Sequence, residues 1–174
     1  ADREVESVSH EETCAVDHVH HDSLRVEAVR MGDAVASRLR SARLSGRTVA
    51  IKVRFHDFAT ITRAHTFPAP VDDGPSIARA AIELLDQVDV SAGVRLFGVV
   101  VSNLTEDAVR QLTFDDVGAR AGWDDAVRAL DEVRARFGDR AVGPGTLAGS
   151  DGLRLKRLGD TQWGPSLPDA EPEA

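Results

Sequence analysis

The residues best suited to chemistry lie between Gly46 and Pro68. Arg47, Lys52, Arg54 and Arg63 stand there against a single acid, Asp57, so the stretch carries net +3 (4 − 1). Lys52 and Arg54 are flanked by Thr60, Thr62, Arg63, His65 and Thr66. Arginine, lysine, hydroxyl groups and strand N–H groups all donate to phosphate oxygens, and such contacts position a duplex without reading its sequence. The plain alternative is a solvated sheet face. The whole chain carries a net charge of −8 with a pI near 5.2, which by itself argues against phosphate binding. A local basic patch outweighs the global sum where a surface meets DNA.

Other constellations offer less. Cys14, His18, His20 and His21 could suggest zinc, but their spacing fits no standard finger and only one thiol is present, so a polar loop is expected over residues 18–21. Gly143-Pro144-Gly145-Thr146 lacks the lysine of a phosphate-binding loop and reads as a turn. The acidic pair Asp115/Asp116 falls in a linker. Asp124/Asp125 sits near a helix start, where carboxylates complement the dipole. No Ser/His/Asp or Cys/His arrangement stands out, so no catalytic residue is assigned.

Hydrophobic periodicity supplies the elements that must carry the basic stretch. Val5 to His10 alternates as a strand. Leu24, Ala28, Met31, Val35, Leu39 and Ala42 recur at helical spacing, with Asp22 as N-cap and Gly46 at the helix C′ position. In the second strand Val49, Ile51, Val53 and Phe55 point to a core while Ala50, Lys52 and Arg54 point to water. His56-Asp57-Phe58 makes a turn, and Ala59 to Phe67 a third strand that Pro68 and Pro70 end. A second helix starts at Gly74-Pro75 and buries Ile77, Ala81, Leu84, Leu85 and Val88. Gly93 to Leu104 is a fourth, nearly all-apolar strand. The order is β-α-β-β-α-β, which predicts an α+β, ferredoxin-like domain over residues 1–104: a four-stranded antiparallel sheet, two helices on one face, the other face open.

Residues 105–122 read as an acidic linker. Within 123–174, Trp123, Val127, Leu130, Val133 and Phe137 make an amphipathic helix closed by Gly138, and the Gly/Pro-rich remainder from Asp139 is expected to be loosely packed or disordered. The single cysteine fits a reducing cytoplasm. No apolar run is long enough to span a membrane, and the charged, abrupt N-terminus reads as a cut from a longer polypeptide.

The run Gly46-Arg47-Thr48-Val49-Ala50-Ile51-Lys52-Val53-Arg54-Phe55-His56-Asp57-Phe58-Ala59-Thr60-Ile61-Thr62-Arg63-Ala64-His65-Thr66-Phe67-Pro68 resembles the little-finger (C-terminal) domain of Y-family translesion DNA polymerases of the polymerase IV type. A basic strand, an Asp-Phe turn and a Thr-rich strand carrying Thr-Arg and then Pro make up the shared pattern. Glu6 to Thr13 resembles the linker and first strand, Gly93 to Val99 the last strand, and Trp123 to Phe137 the helix that follows, all in collinear order over roughly residues 4–142.

The resemblance implies an error-prone, template-directed parent enzyme working through magnesium ions held elsewhere, with no cofactor in this segment. It implies a sheet face that grips duplex primer–template DNA through Ser7, Ser9 and His10, Lys52 and Arg54, Thr62, Arg63, His65 and Thr66, and Arg95. Glu11 and Glu12 would repel phosphate and are expected off that path. Gln111, Leu112 and Phe114 resemble the short peptide by which such polymerases hold the sliding clamp, although Phe114-Asp115 departs from its usual ending. Gln162 to Leu167 is a weaker candidate for the same role. The expected partners are duplex DNA, the clamp, and the palm, fingers and thumb of the parent chain, with no membrane. Two alternatives stay open: a ferredoxin-like protein-interaction module, and the same domain from a damage-response relative with an inactive palm.

Overall fold

The computed structural model describes residues 6–106, 117–149 and 152–153; of residues 117–121 and Asp124 only the backbone is described. The elements are β1 (Ser7–His18), α1 (His21–Ser41), β2 (Leu44–Phe55), β3 (Thr60–Val71), α2 (Gly74–Leu85), β4 (Val94–Glu106) and α3 (Val117–Phe137), followed by a 3-10 turn (Gly145–Leu147) and the short strands β5 (Ala148–Gly149) and β6 (Gly152–Leu153). The β-α-β-β-α-β frame read from periodicity is present. The main sheet is antiparallel throughout, in the order β1-β4-β2-β3. The mostly apolar β4 and the alternating β2 are therefore central, and the polar strands β1 and β3 are the edges.

The core sits between the sheet and the two helices. Leu24, Met31, Val35 and Leu39 of α1, Ile77, Ala81 and Leu85 of α2, Val49, Ile51 and Val53 of β2, and Phe97, Val99 and Val101 of β4 are buried there. Each large apolar side chain in that layer contributes roughly 1.5–3 kcal/mol by leaving water. The helices cross closely because Gly32 faces Ala78, where a Cβ would come within 3.1 Å of the Ala78 nitrogen. α2 begins as a helix should: Asp73 caps it, its carboxylate accepting from the Ser76 N–H at 2.8 Å, with proline in the first turn.

The structure corrects several local expectations. Helix α1 starts at His21, so Asp22 is no cap but a first-turn acid paired with Arg25 at 2.9 Å. The residues expected to form a loop are divided, His18 ending β1 and His21 opening α1. Gly46 is not a helix C′ residue. The chain leaves α1 through Ala42 and Arg43, whose φ is +55°, and Gly46 lies within β2. A Cβ on Gly46 would collide with Val101 Cγ1, so close strand approach explains this glycine. Strand β3 runs through Pro68 and Pro70 to Val71. It can do so because it is an edge strand with a register shift opposite Gly46/Thr48, where missing N–H donors break no ladder. Arg47 also clasps this end, donating to the Phe67 and Pro68 carbonyls at 3.3 and 2.9 Å.

Beyond the sheet, α3 begins at Val117, inside the stretch expected to be a linker. Its apolar residues are not a buried stripe: Trp123, Val133 and Phe137 are exposed. The helix is held instead by ion pairs to α1. Asp131 accepts from Arg40 at 2.6 and 2.7 Å, and the buried Arg134 donates to Asp33 at 2.8 Å and to the Val142 carbonyl at 3.0 Å. Residues 139–149, expected to be loose, are anchored by the fully buried Leu147.

Candidate nucleic-acid interface

Side chains opposite one another in an antiparallel ladder share a face, so the register assigns the open face row by row. The first row is Ser7, Ser102, Thr48 and Thr66; the second is Ser9, Val100, Ala50 and Ala64. The third is Glu11, Gly98, Lys52 and Thr62; the fourth is Thr13, Leu96, Arg54 and Thr60. Most of these side chains are hydroxyl-bearing or no larger than valine. The surface is therefore shallow, and a partner can approach the sheet closely.

The polar groups are held in place by short-range bonds. Thr48 Oγ1 and Thr66 Oγ1 lie 3.0 Å apart, and Asn103 Nδ2 donates to Thr48 Oγ1 at 2.8 Å. Arg54 Nε donates to Thr60 Oγ1 at 3.1 Å. Lys52 Nζ reaches across β4 to Glu11 Oε2 at 2.9 Å. Gly98 lies between them, and a Cβ there would fall 2.6 Å from that of Glu11. Glu11 is thus on the open face, from which its charge had been expected to exclude it. Glu12, by contrast, is on the helix side, bonded to Arg30 at 2.8 Å.

Six of the ten sequence-predicted contact residues, Ser7, Ser9, Lys52, Arg54, Thr62 and Thr66, share the open face. Arg63 and His65 pair with Ile51 and Val49, so they project from the helix side of the sheet at its edge, where both remain exposed. His65 makes an edge-on contact with Phe67 at 4.8 Å. Arg95 occupies the irregularity between Arg54/Leu96 and Phe55/Val94, with Asp17 Oδ1 3.4 Å from its Nε and the Phe58 ring 5.2 Å from its guanidinium. Gln111, Leu112 and Phe114 lie outside the described residues, as do Gln162 to Leu167.

His10 is corrected outright. It pairs with Val99, on the core side, and is buried. Its Nδ1 is 3.3 Å from Arg38 Nη2, and its Nε2 is 3.2 Å from Glu12 Oε1. Arginine only donates, so Nδ1 accepts and the ring proton sits on Nε2 toward the carboxylate. Burial pushes the imidazole below its ordinary 6.5, helped by the charges of Arg30 and Arg38 and opposed by the hydrogen bond to Glu12. His10 is a structural member of a β1–α1 network, in which Arg38 also donates to the Ser9 carbonyl at 2.6 Å.

Thr13, Thr48 and Ser102 are face residues that sequence reasoning left out, while Thr60 was read beside Lys52 and Arg54 and lies on the face with them. Strand alternation in Ser7-Val8-Ser9-His10 carried the signal for β1, but the partner of each residue needs the register. Among the described residues no group of three or more His, Cys, Asp or Glu is placed to hold a metal ion, and no helix is long and apolar enough to cross a membrane.

An open antiparallel sheet backed by two helices is the architecture that known proteins share with this one. The model of the impB/mucB/samB family C-terminal domain matches residues 5–114. A DNA polymerase IV of Streptomyces coelicolor is 45% identical over 134 residues, covering 76% of this chain and 26% of that protein. A solved complex of a β-clamp processivity factor with the little finger domain of PolIV superimposes with a TM-score of 0.50 at 26% identity, covering 62% of this chain and 97% of that one. A Y-family DNA polymerase chimera gives 0.54 at 12% identity, over 60% of this chain and 30% of its own, and shows the fold alone. The chain belongs to the impB/mucB/samB family, as its C-terminal domain. Within that family it is similar to DNA polymerase IV proteins and to the little finger domain of PolIV. It spans about a quarter of the length of the Streptomyces relative.

Proposed function

We propose that this domain is the DNA-gripping little finger of an error-prone, translesion polymerase of the IV type, and that it is not itself catalytic. The observation that carries this reading is the open sheet face, where Lys52 and Arg54 stand among hydroxyls and small side chains. Cations and hydroxyls in that array suit phosphates, which carry no sequence information, so the proposed contact is sequence-independent. Exposed Arg63 and His65 extend it around the β3 edge, and Arg95 closes the end of the sheet. Phosphoryl transfer would need carboxylates holding a magnesium pair. The described residues do not fit such a pair, so that chemistry is assigned to the rest of the polypeptide.

Fluorescence anisotropy with a labelled duplex tests the reading. Affinity should fall as salt rises, with log K losing about 0.9 of a unit slope for each phosphate neutralised. An affinity that does not change between low and physiological salt would overturn it. Primer extension with magnesium should yield no synthesis from this chain alone.

Tethering to the sliding clamp is the second part of the proposal. It rests on the Gln111-Leu112-Thr113-Phe114 peptide and on the β-clamp complex of the similar PolIV little finger. A short apolar peptide in a clamp groove raises the effective concentration of the domain at DNA. Pull-down with purified clamp should weaken on joint Leu112→Ala and Phe114→Ala substitution; equal capture of both forms would remove the peptide from the account.

A further inference from the structure

The turn between β2 and β3 is built against local preference. Phe58 N donates to the Phe55 carbonyl at 3.0 Å, Phe55 N donates to the Ala59 carbonyl at 2.9 Å, and Asp57 Oδ1 accepts from Ala59 N at 2.9 Å. This is a tight hairpin loop closed by one left-handed residue, a position that glycine or asparagine ordinarily fills. Phe58 fills it instead, with φ +68°. The two other non-glycine residues with positive φ among the described residues have ordinary reasons: Asn103 tolerates that region and Arg43 follows a helix end.

Among the described residues burial does not repay this strain, since Phe58 is 67% exposed. Among the described residues its ring meets the Arg95 guanidinium, 5.2 Å from the ring centroid. The turn is continuous with the open face, because Arg54 bonds to Thr60 Oγ1 and that hydroxyl lies 3.5 Å from the Phe58 carbonyl. A strained, exposed aromatic backed by a cation suits an external partner. Asp57 beside it and Asp17 on Arg95 make the corner unfavourable for phosphate. The flat, uncharged face of a base escapes that repulsion and stacks well on aromatic rings.

We propose that Phe58, backed by Arg95, stacks on an unpaired nucleobase where single-stranded DNA leaves the duplex held by the open face. The proposal rests on the duplex-gripping reading above. The test compares this 174-residue chain on a blunt duplex and on the same duplex with a 5′ overhang. Phe58→Gly should lose roughly tenfold in affinity on the overhang substrate, and little on the blunt one. Its Tm should be no lower than that of the unaltered chain, because glycine relieves the turn. Phe58→Trp should keep the overhang preference, and abasic sites throughout the overhang should abolish it.

If Phe58→Gly binds both substrates like the unaltered chain, the stacking inference is overturned while the duplex reading stands. A lowered Tm with equal losses on both substrates would make Phe58 structural and overturn it as well. If the unaltered chain binds neither DNA, both readings fall together.

Discussion

The two faces of the one sheet obey different physics. Toward the helices, Val49, Ile51, Val53, Phe97, Val99 and Val101 are buried in a close-packed layer, and the charged groups on that side close on one another: His10 and Glu12 of β1 with Arg30 and Arg38 of α1. On the open side the same strands place serine, threonine, alanine and glycine, with Lys52 paired to the half-exposed Glu11. One face stores stability, because it has removed its groups from water. The other keeps groups available, because its pairs are solvent-screened and easily exchanged for a ligand.

This contrast predicts that substitutions separate cleanly by face. The largest effect is expected from Phe97→Ala, which leaves a cavity at the centre of the core and should cost about 3–5 kcal/mol. Urea or thermal unfolding would measure it, and the DNA affinity of the folded fraction should stay unchanged. Joint Lys52→Gln and Arg54→Gln substitution should do the reverse. Stability should move by no more than about 1 kcal/mol, while duplex affinity falls severalfold and the salt slope shrinks by up to about two phosphate equivalents. A large Tm loss in that variant would erase the distinction between the faces.

Smaller effects sharpen the comparison. Glu11→Gln frees Lys52 and removes a negative charge from the open face, so duplex binding should tighten by a fewfold at low salt, and the gain should vanish as salt rises. A weaker complex would show that Glu11 orders Lys52 for its ligand. The smallest expected effect belongs to His10, on the opposite face. Its folded-state pKa lies below the ordinary 6.5, so over that window the unfolded chain binds more protons. Its contribution is fully present above about 6.5 and is lost as pH falls through the lowered folded value. His10→Gln should flatten the Tm-against-pH curve there; a curve unchanged by the substitution would assign the titration to other groups.

The helices repeat the lesson at another scale. α2 was legible because Ile77, Ala81, Leu84 and Leu85 fall on one stripe, and that stripe is buried. α3 shows helical spacing too, but it docks through Asp131 and Arg134 and leaves Trp123 47% and Phe137 68% exposed. Periodicity announces a helix, while the choice between an apolar and an ionic docking face depends on what α1 presents opposite, here Arg40 and Asp33. His10 failed as a contact residue for the same reason. Polar character alone cannot say that Arg30, Arg38 and Glu12 will gather around a ring on the core side.

By itself the sequence determined the element order, the alternation that sends Val49, Ile51 and Val53 inward, and the basic stretch whose family resemblance the C-terminal-domain match bears out. These follow from local period and composition, which each segment carries alone. Only the tertiary structure decided the strand order β1-β4-β2-β3 and the register that sets Glu11, Gly98, Lys52 and Thr62 in one row. It also turned Arg63 and His65 to the other side of the sheet and placed Arg95 against Phe58. Those outcomes join residues as far apart as Ser7 and Ser102, and no local pattern encodes which distant partner a strand will meet.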